Sequence, residues 1–194
     1  MNKLQRSDLY TLEAYSQERE GMRAAVMEHK RQRRLALGPL VNLYFEDRLT
    51  MHYQVQEMLR AERIFEADAI QEELDAYNPL IPDGTNWKAT MMIEVPDPRE
   101  RARQLASLIG IEDVCYMQVE GCERVYARAD EDLERSTAEK TSSVHFMRFE
   151  LEQAMIERLR GGAALYAGVE HALYNHRVET VPTPLRESLI ADLG

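Results

Sequence analysis

Apolar positions along this chain switch between helical and alternating spacing, and the switches mark its elements. In the first forty residues Met22, Val26 and His29 share a face at steps of four and three. Thr11 is placed to cap a short helix through Leu12, Glu13 and Tyr15, and a second helix is predicted from about Glu18 to Arg34. Gly38-Pro39 stops it. Leu40 to Asp47 alternates, with Val41, Leu43 and Phe45 on one side, and reads as a strand. Thr50 is placed to cap a helix over about Met51 to Phe65, and a further helical segment covers about Glu66 to Tyr77. Asn78-Pro79 ends that segment, and Pro82-Asp83-Gly84 is a turn.

After Gly84 the alternating period dominates. Trp87 to Val95 is predicted as a strand, Pro98 to Ile109 as a helix closed by Gly110, and 114–119 with 123–129 as a hairpin. Face parity sets the hairpin loop. Cys115, Met117 and Val119 line up with Val125, Ala127 and Ala129 only if the loop is Glu120-Gly121-Cys122, so that register is preferred. It leaves Cys115 and Cys122 several rungs apart, which disfavours a disulfide. Asp130 to Thr141 is a charged connector; Ser142 to Leu151 is a strand, Gln153 to Arg160 a helix, and Ala163 to Glu170 the last strand. Pro182 and Pro184 lead into a terminal helix over 185–193. The fold class expected is α+β, a mostly antiparallel sheet with helices packed on one face. One domain is expected over 1–194, with a helical half at 7–80 and a sheet-rich half at 86–170.

Composition narrows the function classes. At 44% hydrophobic and 30% charged residues the chain is ordinary globular protein. No run approaches the roughly 18–20 apolar residues of a membrane span, and Met1 to Arg6 is polar with no apolar stretch behind it, so a cytoplasmic location is expected. The net charge of -10 argues against nucleic acid as a partner. The one basic run, His29 to Arg34, reads as a helix C-terminus that complements the dipole, with an acidic or phosphate-bearing partner as the alternative. Cys115 and Cys122 lack the spacing and the companions of a zinc or iron–sulfur site.

Phosphate-loop, dinucleotide-binding, nucleophile-elbow and zinc-protease motifs are all absent. The informative positions are carboxylates. Glu62 falls inside the apolar stripe of Met51, Val55, Met58, Leu59 and Phe65, and Glu73 falls beside that of Ile70, Leu74 and Tyr77. A carboxylate facing an apolar interface must be paired, protonated or metal-bound. Arg60 and Arg63 are nearby partners for a structural ion pair. A metal reading takes Glu57, Glu62, Glu73 and His145, with iron or another divalent ion, although the Glu-x-x-His spacing of carboxylate-bridged sites is missing. His145 with His171 is a further pairing if their strands are neighbours. The stiff segment Asn78 to Trp87 is a connector or a binding loop, with Asn78, Asp83 and Trp87 as the contact residues, alongside Arg60 and Arg63.

Several segments together resemble a known family. These are Leu35–Pro39, Phe45–Arg48, Gln54–Ile64, Glu72–Thr85, Asp130–Thr137 and Ser143–Phe146. They are similar to the bacterial family catalogued as domain of unknown function 3501. The resemblance implies context rather than chemistry: its members tend to be encoded near rubrerythrin-like proteins and iron–sulfur oxidoreductases, the partners it suggests. Three functions follow. The first is an accessory protein of an iron-linked redox or oxidative-stress system that binds a metal. The second is a small-molecule enzyme using buried carboxylates as acid and base. The third is a non-catalytic interaction subunit, with self-association left open.

Overall fold

A computed structural model describes residues 2–194. Helix α1 (Leu12–Gln32) starts where the Thr11 hydroxyl accepts the Ala14 amide, and it runs unbroken through the region expected to hold two helices. Strands β1 (Arg34–Leu37) and β2 (Val41–Glu46) form a hairpin around Gly38, whose φ of 76° suits glycine. The Gly38-Pro39 stop is therefore a hairpin turn. Helix α2 (Arg48–Glu62) is capped by Asp47 rather than Thr50; the two form a reciprocal capping box. Arg63 then turns left-handed at φ 57° and ends the helix. Helix α3 (Ala67–Tyr77) follows, with a 3-10 turn at Asn78–Leu80.

The remaining elements are β3 (Asn86–Ile93), α4 (Pro98–Ser107), β4 (Cys115–Val119), β5 (Arg124–Tyr126), β6 (Arg128–Ala129), β7 (Val144–Glu150), α5 (Gln153–Arg160), β8 (Leu165–His171), β9 (Tyr174–Val178) and α6 (Thr183–Ala191). The fold is α+β, as expected, but the strands make two antiparallel sheets rather than one. The first has the order β1-β2-β3-β7-β6 and the second β5-β4-β8-β9. The chain crosses from one sheet to the other at Ala127, between β5 and β6.

The hairpin register matches the parity argument: Met117 faces Val125, Gln118 faces Arg124, and the loop is Glu120-Gly121-Cys122. Both cysteines are free thiols. The inward faces of both sheets share one core with α5 and α6. Phe45, Met91, Met117, Phe149, Ala167 and Leu189 are among its buried members. Each fully buried side chain of leucine or phenylalanine size contributes about 1.5–3 kcal/mol. Helices α2 and α3, joined by Leu4 and Ile81, hold a second apolar cluster around Val55, Leu59 and Leu74. No helix among the described residues is long and apolar enough to cross a membrane.

Candidate functional site

The predicted carboxylates do not converge. Glu57 is held by the Arg19 guanidinium, with Nε 2.7 Å from Oε1 and a second nitrogen 2.8 Å from Oε2, and it accepts the Tyr15 hydroxyl at 2.7 Å. That pairing drops its pKa to about 2. Glu62 is exposed, which corrects its place in the buried stripe: α2 ends there, so Phe65 has left the helix face and is 68% exposed. Glu73 is half-buried, and burial and the charges of Glu62 and Glu72 push its carboxyl upwards. Among the described residues no group of three His, Cys, Asp or Glu side chains is arranged to hold a metal ion.

The binding residues expected on the Asn78–Trp87 segment have structural work instead. The Asn78 side chain pairs with the Leu4 backbone in both directions, at 2.8 and 3.0 Å. Asp83 accepts the Thr85 amide at 3.1 Å. Trp87 is buried in the core and its ring N–H donates to the Leu189 carbonyl at 2.8 Å. Arg60 and Arg63 are exposed at the end of α2 and hold no carboxylate there. The arginine that is buried is Arg33, from the basic run. It contacts Asp192, the Ser188 hydroxyl at 2.7 Å and the Phe45 carbonyl at 3.0 Å.

His145 and His171 lie in different sheets. His145 is fully buried on β7. Its Nδ1 lies 2.6 Å from Asp130 Oδ2, and its Nε2 lies 2.9 Å from the Thr141 hydroxyl and 3.1 Å from the Ser142 carbonyl. Both ring nitrogens are thus engaged by groups of the protein itself, and neither is turned to an open site. Thr141 donates on to Glu112 at 3.1 Å, and Ser136 donates to the other oxygen of Glu112. Asp130, Ser136 and Thr141 all belong to the 130–141 connector, so His145 is the post to which that connector is tied.

The tied connector forms one wall of a groove of about 640 Å³, the size of a small-molecule site. Its opposite wall is the end of α3 and the turn after it, with Asp75, Ala76, Tyr77, Pro79 and Leu80. Its floor is the outer face of β3 and β7: Lys88, Phe146 and Arg148. Lys88 sits directly across from Arg148 in the β3–β7 ladder. Two cations so placed repel. Arg148 is neutralised twice, by Glu131 of the connector at 2.6 and 2.8 Å and by Glu150. Lys88 makes no such pairing. Burial and the Arg148 charge hold its ammonium below its usual range, against weaker support from Glu131 and Asp83. The arrangement leaves one half-buried amine, walled by Tyr77, Leu80 and Phe146, with no protein acceptor of its own.

Lys88 was not among the residues singled out from sequence. Its parity, opposite to buried Trp87 on a strand, was the available signal; its pairing with Arg148 was not legible.

Comparison with known proteins adds a family and a fold relative. The model of the family described as protein of unknown function (DUF3501) matches residues 3–193. The crystal structure of a protein of unknown function from Burkholderia pseudomallei K96243 is 48% identical, covers 100% of both chains and superposes with a TM-score of 0.95. No curated protein matches.

Proposed function

The chain belongs to the DUF3501 family, and from that premise we propose that it is a small-molecule-binding protein whose site is the groove between α3 and the outer face of β3 and β7. The ligand class is a compact organic molecule with an apolar body and an oxygen-bearing head. The body meets Tyr77, Leu80 and Phe146, and the head accepts from Lys88. One observation carries the reading: Lys88 is half-buried beside a doubly paired arginine and has no partner. An ammonium that opens into a groove without a protein acceptor has its donors free for an oxygen of a bound molecule. Service to an iron-linked redox system enters this proposal through family context alone. The carboxylates that would have held a metal carry no weight in it.

The test uses 8-anilinonaphthalene-1-sulfonate, which has an aromatic body and an anionic head. Wild-type chain is titrated by fluorescence beside Ala76→Trp, which fills the groove from exposed helix surface, and Lys88→Ala. Saturable binding that is lost in Ala76→Trp and weakened in Lys88→Ala, with circular dichroism unchanged, supports the site. Binding that is indifferent to Ala76→Trp removes it.

A further inference from the structure

Lys88 differs from the other lysines in what its nitrogen is doing. The chain has four: Lys3, Lys30, Lys88 and Lys140. Lys30 lies in the last turn of α1, where a cation is favoured, and Lys140 is exposed on the connector. Lys3 is drawn below its usual range by burial, as Lys88 is, but its ammonium donates to the Asn78 carbonyl at 2.9 Å and the Ile81 carbonyl at 2.7 Å. Those two bonds commit it as a donor. Lys88 has no such commitment, and it lines a cavity wide enough for a reactant.

Burial is the main influence that lowers the Lys88 ammonium, and charges of both signs surround it, with Glu46 directly across from it in the β2–β3 ladder. Arg148 comes from the neighbouring strand, and Lys3 adds a weaker positive charge from the N-terminal segment. Glu131 of the connector and Asp83 of the turn before β3 oppose them. Glu131 spends both its oxygens on Arg148. A lysine that is desolvated beside another cation is the setting in which an amine acts as a nucleophile at neutral pH.

We propose that Lys88 is a nucleophilic lysine that forms an imine with an aldehyde bound in the groove. The proposal rests on the groove reading above and narrows its ligand to carbonyl compounds. The Lys88 Nζ lone pair adds to the carbonyl carbon, and the carbonyl π pair moves to oxygen. One proton from nitrogen passes to that oxygen through water in the open groove. The carbinolamine then loses hydroxide together with the second nitrogen proton, as water, and a carbon–nitrogen double bond remains. No oxidant or metal is consumed. The aromatic lining fits an aryl aldehyde better than a short aliphatic one, because Tyr77 and Phe146 both line the groove, with Arg135 already stacked on the Phe146 ring at 4.6 Å.

The experiment exposes the full-length protein to benzaldehyde and cyanoborohydride at neutral pH, which reduces any imine to a stable benzyl-lysine, and reads each lysine by peptide mass spectrometry. Lys88 is expected to be labelled roughly tenfold faster than Lys30 or Lys140, since groove binding raises the local aldehyde concentration. Ala76→Trp is expected to bring Lys88 down to the rate of the others. Lys88→Arg keeps the positive charge but cannot form the imine, so it is expected to retain the fluorescent sulfonate while losing the label. Equal labelling of Lys88 and Lys30, with the sulfonate still bound in a groove-dependent way, overturns the nucleophile and leaves the groove. Lys88 labelling that Ala76→Trp does not slow overturns the claim that the aldehyde reacts from the groove.

Discussion

The imidazole of His145 and the carboxylate of Asp130 meet at 2.6 Å beneath the 130–141 connector, and both are shielded from water. Asp130 holds a left-handed backbone, φ 51°, while its second oxygen accepts the Phe146 amide at 3.0 Å and the Arg135 guanidinium at 3.1 Å. One side chain thus fixes the ring, the start of the connector and the strand beside it. Removing a hydrogen-bonding group that leaves buried partners unsatisfied costs about 1–3 kcal/mol. Asp130→Ala is expected to fall in that range by urea denaturation and to make the 131–140 segment readily cleaved by protease. Asp130→Asn is expected to cost less, because asparagine tolerates the left-handed conformation and keeps an acceptor for Phe146. Equal costs for the two variants would mean that the backbone conformation and the amide contact contribute nothing.

Stability is expected to depend on pH through two carboxyls of opposite behaviour. Burial pushes Asp192 up to about 6 from 3.8 despite the contact with Arg33, with Asp47 adding to the rise and His29 opposing it. A raised carboxyl favours the folded state at low pH, fully below about 4, and that contribution is lost as the pH rises through 6. Glu57, lowered to about 2 from 4.5, contributes above 4.5, and this is lost as the pH falls through 2. Its half-exposed pairing with Arg19 makes the second contribution the smaller. Together they place maximal stability near pH 4, with a decline of on the order of 1 kcal/mol between pH 5 and 7 from Asp192. Urea midpoints at pH 5, 6 and 7 read this directly, and Asp192→Asn is expected to flatten the slope.

Local patterns were legible where one residue decides the outcome. Thr11 caps α1, α5 runs from Gln153 to Arg160, and parity alone gave the Glu120-Gly121-Cys122 loop. Two strands were missed for a physical reason. β1 is four residues long behind a basic run, and β9, with Asn175, His176 and Arg177, is a polar edge strand whose alternation carries little apolar signal. The single expected sheet became two because a crossing at Ala127 divides one apparent strand into β5 and β6, a choice made by tertiary pairing. The site was less legible. Counting the α2 stripe as far as Phe65 assumed that the helix continued, and the left-handed Arg63 releases everything beyond Glu62 from that face. Lys88 and Arg148 lie 60 positions apart, and their opposition exists only once β3 and β7 are paired.

Trp87 is the only tryptophan and reports on the core rather than on the groove. Its ring N–H is bound to Leu189 of α6, while Lys88 beside it points to the opposite face. Its emission is expected to be blue-shifted and poorly quenched by acrylamide. Trp87→Phe is expected to cost about 1–3 kcal/mol, from lost burial and an unpaired Leu189 carbonyl, and to leave affinity for the sulfonate probe unaltered. Loss of affinity with intact folding would put Trp87 back in the binding site.

Gly168 lies opposite Tyr116 in the β4–β8 ladder, and the tyrosine ring covers it. A Cβ built there would come within 2.7 Å of the ring and its hydroxyl, although the backbone of Gly168 is ordinary strand. The glycine is therefore required by the ring above it rather than by its φ. Arg124 stacks on the same ring at 4.4 Å, and Tyr126 packs against it at 5.9 Å, so the ring has little freedom to retreat. Gly168→Ala is expected to destabilise by about 1–3 kcal/mol, the usual cost of overpacking. In a Tyr116→Ala background the same change is expected to be neutral or slightly stabilising, since alanine restricts the unfolded chain more than glycine does. A double-mutant cycle measured by urea denaturation separates these outcomes. Additive effects would mean that the backbone, and not the ring of Tyr116, excludes a side chain at position 168.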